Sequence, residues 1–340
     1  MKKLAINGFG RIGRTIARAN QIQKKFELVG INDVNPHIEN MAYLLKYDST
    51  YGPFPANVKT GNDSFIIDDK SVKYFYEDDI SNVPWADVSA DIVIDSSGVS
   101  HNILSAKELV KNSNVSKVVV THSSQDVDKE IIMGVNDNLL DKNHHVVSNS
   151  ICDANAIAHV MKWLNDAFGI DSGSITTLHP WLSYQNIVDG PAISQQNPGV
   201  VWKDYALGRA SCSSVIPKNT TAMTAVEKVI PELKGKILSF SYRIPTDVVA
   251  SSDLTVRLKE TVSQQELVSF IQEKIRTSPY VQGNDESLVS LDYKMNSYSA
   301  IIDMQWLKVQ GNLVKLILWY DNEYGYSSRV LDLALKLLEE

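Results

Sequence analysis

Between positions 8 and 13 the chain reads Gly8-Phe9-Gly10-Arg11-Ile12-Gly13, directly after the apolar run 3–7 and at the head of 11–23, a stretch of helix-forming composition. Three glycines at this spacing, between a strand and a helix, leave few folds open. The first permits a tight turn, the second lets a pyrophosphate approach the backbone, and the third brings helix and sheet close, while the helix N-terminus offers free amides to phosphate. A second strand spans 27–32, and Asp33 ends it twenty positions after Gly13 (33 minus 13). A carboxylate there accepts hydrogen bonds from a ribose 2′-hydroxyl and repels a 2′-phosphate, so the expected cofactor is NAD rather than NADP. The competing reading, a structural turn followed by an ordinary Asp, requires strand, turn, helix and acid to coincide by accident.

Further alternation follows, with strand-like 91–95, helix-like 103–110 and strand-like 116–121. This pattern predicts an α/β unit of Rossmann type, a parallel sheet covered by helices, over residues 1–151. After Val146 the texture changes. An amphipathic helix is expected over 154–168, with Ile157, Val160, Met161 and Leu164 on one face. Longer alternating runs at 237–244, 252–258, 300–307 and 313–320 read as antiparallel strands, the last two joined by a turn at Gln310-Gly311-Asn312. Ser263 and Glu266 form a capping-box pattern that starts a helix through Ile275. A catalytic α+β domain with a mostly antiparallel sheet is therefore expected over 152–318. The segment 319–340 should return to the first domain through a helix at 328–338.

At 340 residues the chain is long enough for two cores, and 33 Lys and Arg against 40 Asp and Glu give a net charge of −7. That balance argues against nucleic acid and anionic membrane as partners, leaving small molecules and copies of the chain itself. No apolar run reaches membrane-spanning length, and the early glycines interrupt any signal-peptide core. Two cysteines, Cys152 and Cys212, support neither a disulfide framework nor a multi-cysteine zinc site, so no metal is expected and a cytoplasmic location is favoured. Cys152 lies just before the helix at 154–168, where the dipole and free amides stabilise a thiolate. A lone cysteine is more often an inert small apolar residue, which is the reading adopted for Cys212, packed inside the second domain.

The stretches AINGFGRIGR from Ala5, GINDVN from Gly30, YDSTYG from Tyr47, DSSGV from Asp95, MGVN from Met133, VSNSIC from Val147 and TTLH from Thr176 share one register with three more. These are PELKGK from Pro231, YRIPT from Tyr242 and WYDNEYGYSSRV from Trp319. Together they resemble the phosphorylating glyceraldehyde-3-phosphate dehydrogenase family over nearly the whole chain. Erythrose-4-phosphate dehydrogenase is a close relative on the same scaffold. The resemblance implies a homotetramer of two-domain subunits, a place in glycolysis, and oxidation of an aldehyde, phosphorylated or not, through a thiohemiacetal and a thioester. It makes Cys152 the nucleophile and His179 its base and oxyanion partner. It places Asn322 on the nicotinamide carboxamide and adds Ser97, Gly98, Thr121 and Tyr326 to the cofactor site. Arg243 matches the arginine that pairs with substrate phosphate, Thr220 and Thr221 fall near a second anion site, and Asn155 matches a further position after the nucleophile.

Where the family pattern is S-C-T-T-N, this chain has Ile151-Cys152-Asp153-Ala154-Asn155, and Leu182 stands where a threonine follows the histidine. Asp153 should repel phosphate and raise the thiol pKa, or else cap the helix. The loop 183–207 is longer than the family's, and Trp181 and Trp202 either line a changed pocket or fill subunit contacts. Three functions remain in view. The first is aldehyde oxidation with altered phosphate sites and release of the thioester by water; the second is a non-catalytic nucleotide-binding or regulatory protein; the third is the ordinary phosphorylating or erythrose-4-phosphate reaction.

Overall fold

The computed structural model describes residues 1–194 and 197–340. Short runs of Val, Ile and Leu bounded by turns build a first sheet. Across it lie Lys129–Glu130, Val146–Ser148, Lys117–Val120, Ile92–Asp95, Lys3–Asn7, Glu27–Asn32, Lys70–Phe75, Ser64–Ile67 and Val58–Thr60. Every pairing from Lys129–Glu130 to Lys70–Phe75 is parallel, and the last two are antiparallel. Leu4, Ile6, Ile92, Ile94 and Val119 are fully buried, as a sheet covered on both faces demands, and this is why its strands are continuously apolar.

The second sheet runs Ile216–Lys218, Ile237–Ile244, Ile170–Pro180, Ala250–Leu258, Leu313–Tyr320, Ala300–Gln310 and Val281–Asn284. Its pairings are antiparallel except Ile170–Pro180 with Ile237–Ile244 and Val281–Asn284 with Ala300–Gln310. The helix Cys152–Phe168 packs on this sheet through Ile157, Val160, Met161 and Leu164, all fully buried. Ser263 Oγ accepts from the Glu266 amide in a complete capping box at the head of the helix Gln264–Thr277. The Rossmann-type α/β unit and the mostly antiparallel second domain are thus both present.

The final helix begins at Tyr324, earlier than its leucine periodicity predicts. Asp321 Oδ1 accepts the amides of Glu323 and Tyr324 at 3.0 and 2.8 Å and starts the helix there. Its first turn, Tyr324-Gly325-Tyr326, is buried without any aliphatic signature. This helix lies against Arg11–Gln23, with Gln23 Nε2 donating to Ser328 Oγ at 2.9 Å and Lys25 paired with Asp332. Arg11 clamps Asp48 at 2.6 Å and Glu323 at 2.5 Å. Cys212 corrects an expectation. It is exposed, on the loop after the short 3-10 turn Tyr205–Gly208, with its thiol directed to the Ile187 carbonyl at 3.6 Å. That loop lies outside the apolar interior that would have enclosed it.

The glycine turn has separable constraints. Gly8 has φ +83° and a Cβ there would sit 2.4 Å from the Ser97 amide nitrogen; at Gly13 a Cβ would sit 2.2 Å from the Gly8 carbonyl oxygen; at Gly10 it would meet nothing within 4 Å. Gly13→Ala should therefore lower unfolding stability by about 1–3 kcal/mol, as forced overpacking does, while Gly10→Ala leaves stability unchanged. Chemical denaturation of both variants checks the contrast.

Candidate active site

A cavity of about 800 Å³ runs from the glycine turn to Cys152 and His179. At one end Gly8, Gly10, Ile12 and Asp33 form its wall. Asp33 Oδ2 accepts the Phe9 amide at 2.6 Å and Oδ1 the Asn35 amide at 3.0 Å, which fixes the carboxylate beside the turn. Ser97, Gly98 and Thr121 line the next stretch, with Ser97 Oγ donating to Asp95 Oδ1 at 2.7 Å and Thr121 Oγ1 to the Asp95 carbonyl at 3.1 Å. Phe9 and Gly13 act from behind the wall: Phe9 is fully buried against Phe65, and Gly13 sets the helix-to-turn distance. Arg11 reaches the cavity, but its guanidinium is engaged by Asp48 and Glu323.

Farther along, Asn322 is buried and lines the cavity, and its Oδ1 has no hydrogen-bond partner among the described residues. An orphaned buried amide acceptor facing a cavity suits a carboxamide donor. Gly10, whose added Cβ would meet nothing within 4 Å, lines the same cavity. Tyr326 lines the same wall and donates to the Ser150 carbonyl at 3.0 Å.

The reacting end is set where the last residues of one sheet hand over to the helix of the other. Cys152 is the first helical residue, partly exposed, with Ile151 at the N-cap. Its Sγ lies 3.6 Å from His179 Nε2 and 3.6 Å from Asp153 Oδ1. His179 is the next-to-last residue of the long strand Ile170–Pro180, and its Nδ1 donates to the Pro180 carbonyl at 2.9 Å, which leaves the Nε2 lone pair facing the sulfur. Asp153 does not cap the helix. Its Oδ1 accepts from Tyr320 Oη at 2.8 Å and lies 3.9 Å from His179 Nε2, and the Tyr320 hydroxyl is in turn 3.1 Å from Ser252 Oγ. Burial, then the Asp153 charge, push the Cys152 thiol well above its ordinary range, with Arg243 acting in opposition. Burial, then the Arg243 charge, push His179 down to about 4. Both shifts favour the uncharged forms, thiol and neutral imidazole. A helix N-terminus contributes only about 1 kcal/mol to a nearby anion, less than burial and a like charge impose.

Arg243 stands directly beside His179 in register across the strand pair. It is buried, its Nη2 donates to Tyr184 Oη at 3.3 Å, and its Nε has no partner among the described residues. Thr220 and Thr221 head the helix Ala222–Val229, away from the main cavity, and Thr220 Oγ1 accepts the Ala222 amide at 3.1 Å. Asn155 Nδ2 donates to the carbonyls of Asn149 at 2.7 Å and Ile151 at 3.0 Å, while its buried Oδ1 has no hydrogen-bond partner among the described residues. Trp181 and Leu182 line the cavity, with Ile193 and Pro198 from the long loop, of which residues 195 and 196 lie outside the described residues. Trp202 instead packs on Ala192, Leu207 and Ile216, its ring 4.8 Å from that of Tyr184.

Tyr320 and Lys218 also stand at the site, although no motif marks either for it. Tyr320 closes an alternating strand at an inward position, a signal that marks burial but not its partner. Lys218 lies opposite Ser241, two positions along from the Ile216–Arg243 pair, on the face that carries Arg243 and His179. Burial, then Arg243, push its amine down to about 8. Asn322→Ala should weaken NADH binding about tenfold, the worth of one hydrogen bond of roughly 1.4 kcal/mol. It should leave the unfolding midpoint unchanged, because that carbonyl has no partner in the chain; fluorescence titration and thermal unfolding check both halves.

Comparison with known proteins bears on the same elements. Residues 2–103 match the family profile described as glyceraldehyde 3-phosphate dehydrogenase, NAD binding domain, and residues 151–322 match that family's C-terminal domain. The chain is 37% identical over 346 residues to a glyceraldehyde-3-phosphate dehydrogenase of Borreliella burgdorferi, covering 99% of this chain and 100% of the relative. It is 38% identical over 341 residues to glyceraldehyde-3-phosphate dehydrogenase 2 of Saccharomyces cerevisiae, covering 98% of each. With both domains matched and relatives alike along their whole length, the chain belongs to the glyceraldehyde-3-phosphate dehydrogenase family.

Proposed function

We propose that this NAD-dependent enzyme oxidises an aldehyde through a covalent adduct on Cys152 and releases the resulting acyl group to water rather than to phosphate. The observation that carries the reading is the Cys152 Sγ to His179 Nε2 distance of 3.6 Å at the end of a cavity that begins at the glycine turn. NAD, when bound, supplies the hydride acceptor. Gly8, Gly10, Ser97, Gly98 and Thr121 would hold its phosphates and sugars, Asp33 its ribose hydroxyl, and Asn322 its carboxamide. His179 Nε2 takes the thiol proton as Sγ bonds to the aldehyde carbon, then returns it to the developing alkoxide. When the hydride departs, His179 accepts the hydroxyl proton again and a thioester remains on Sγ. His179 gives that proton up to solvent; water then adds its hydroxyl to the acyl carbon as the carbon–sulfur bond breaks, and the second hydrogen of the water returns to the sulfur.

The choice of acceptor rests on the surroundings of the sulfur. Asp153 puts a carboxylate oxygen 3.6 Å from it, and Ile151, Ala154 and Leu182 offer no hydroxyl to an incoming phosphate. A phosphate dianion beside a buried carboxylate is opposed by like-charge repulsion. Arg243, aided by Lys218, remains to pair with an anionic group on the substrate itself.

The same proposal divides the chain into an NAD-binding unit 1–151, a catalytic unit 152–318 and a returning segment 319–340. It makes the protein a cytoplasmic homotetramer. Exposed Ile187, Val188, Tyr205 and Leu238 on the second domain support burial of that surface between subunits. No helix among the described residues is long and apolar enough to cross a membrane.

NADH formation from glyceraldehyde 3-phosphate and a panel of unphosphorylated aldehydes tests the proposal. Turnover should vanish in Cys152→Ala and be indifferent to inorganic phosphate. A steep rise with phosphate would restore the ordinary phosphorylating reaction; no turnover with any aldehyde would favour a nucleotide-binding role without catalysis.

A further inference from the structure

Cys152 Sγ, Asp153 Oδ1 and His179 Nε2 form a triangle with edges of 3.6, 3.6 and 3.9 Å. A tetrahedral zinc ion, with bonds of about 2.3 Å to sulfur and about 2.0–2.1 Å to nitrogen and oxygen, holds such ligands about 3.4–3.6 Å apart. Two edges match and the third closes with a shift of a few tenths of an ångström. We propose that these three side chains form a divalent-metal site of zinc type, in which the ion caps the nucleophile and reversibly holds the enzyme off.

The supporting shell is already built. His179 Nδ1 donates to the Pro180 carbonyl at 2.9 Å, the outer bond that fixes a metal-binding imidazole, and Tyr320 Oη holds the Asp153 carboxylate at 2.8 Å. Asp153 and His179 are buried, and Cys152 and His179 line the cavity, which gives an ion a route to the triad. Asp153 is the decisive member, because without it the cysteine and histidine offer only two ligands. The expectation of no metal came from counting cysteines, which misses a set with one sulfur, one nitrogen and one carboxylate. Arg243 and Lys218 place two positive charges beside the triad and oppose the ion. The site is therefore a reversible one, weaker than a structural zinc centre. Binding exchanges the thiol proton for the metal and releases that proton to solvent. The ion occupies the sulfur lone pair that would attack a carbonyl carbon.

Cobalt(II) titration of the reduced, cofactor-free protein tests this without reference to turnover. A thiolate-to-cobalt charge-transfer band with one ion per chain is expected, displaced by zinc. It should be absent in Cys152→Ser, unchanged in Cys212→Ser, and at least tenfold weaker in apparent affinity in Asp153→Asn. In the unmodified protein, zinc should also slow alkylation of Cys152 at least tenfold and leave Cys212 unaffected, a readout that needs no variant to fold. A band that persists in Cys152→Ser, equal affinity in Asp153→Asn, or alkylation of Cys152 indifferent to zinc would overturn the proposal.

Discussion

The junction at residues 148–151 is the constraint on which the site depends. Here the parallel strand Val146–Ser148 of the first sheet ends and the helix Cys152–Phe168 of the second domain begins. Ser150 turns the chain with φ +57°, a left-handed conformation that costs a non-glycine residue roughly 1–2 kcal/mol. Three hydrogen bonds hold it: its amide donates to Ser148 Oγ at 2.9 Å, its Oγ to Glu130 Oε1 at 2.5 Å, and Tyr326 Oη donates to its carbonyl at 3.0 Å. At a net 0.5–1.5 kcal/mol each, roughly, such bonds offset the strain. Glu130 is itself buried and paired with Lys228 at 3.1 Å. Tyr326 comes from the C-terminal helix, so the segment that folds back on the first domain also holds the turn that aims Cys152.

From that junction follows the electrostatic character of the site. A buried carboxylate, anchored by Tyr320, stands beside both the Cys152 sulfur and the His179 imidazole, and burial followed by its charge pushes the thiol pKa up. Arg243, one strand away, acts on both partners in the same downward sense but is outweighed at the sulfur by burial and Asp153. The site is therefore arranged so that a positive charge arriving next to the sulfur, whether on a cofactor ring or an ion, changes its state more than it would in a dyad already ionised.

Much of this was legible in the chain. Gly8, Gly10, Gly13 and Asp33 announce their conformations directly, because the absence of a Cβ and the end of a strand are local properties. The helix carrying Ile157, Val160, Met161 and Leu164 was legible from its period. The start of the final helix was not, because Tyr324, Gly325 and Tyr326 are buried through tertiary contacts that leave no aliphatic repeat. The exposure of Cys212 and the Tyr320–Asp153 pair were equally hidden, since each depends on where distant segments meet. Asp153 showed as an anomaly in its motif; that it faces the sulfur rather than the helix amides required the fold.

The central claim is a covalent acyl group on Cys152 that water removes, and mass analysis of the protein mixed with NAD and aldehyde in heavy-oxygen water addresses it most directly. The account predicts a transient acyl mass on the peptide containing Cys152 and one solvent oxygen in the released acid, with phosphate present or absent. An acyl phosphate as the product, or turnover without any adduct on Cys152, would contradict it.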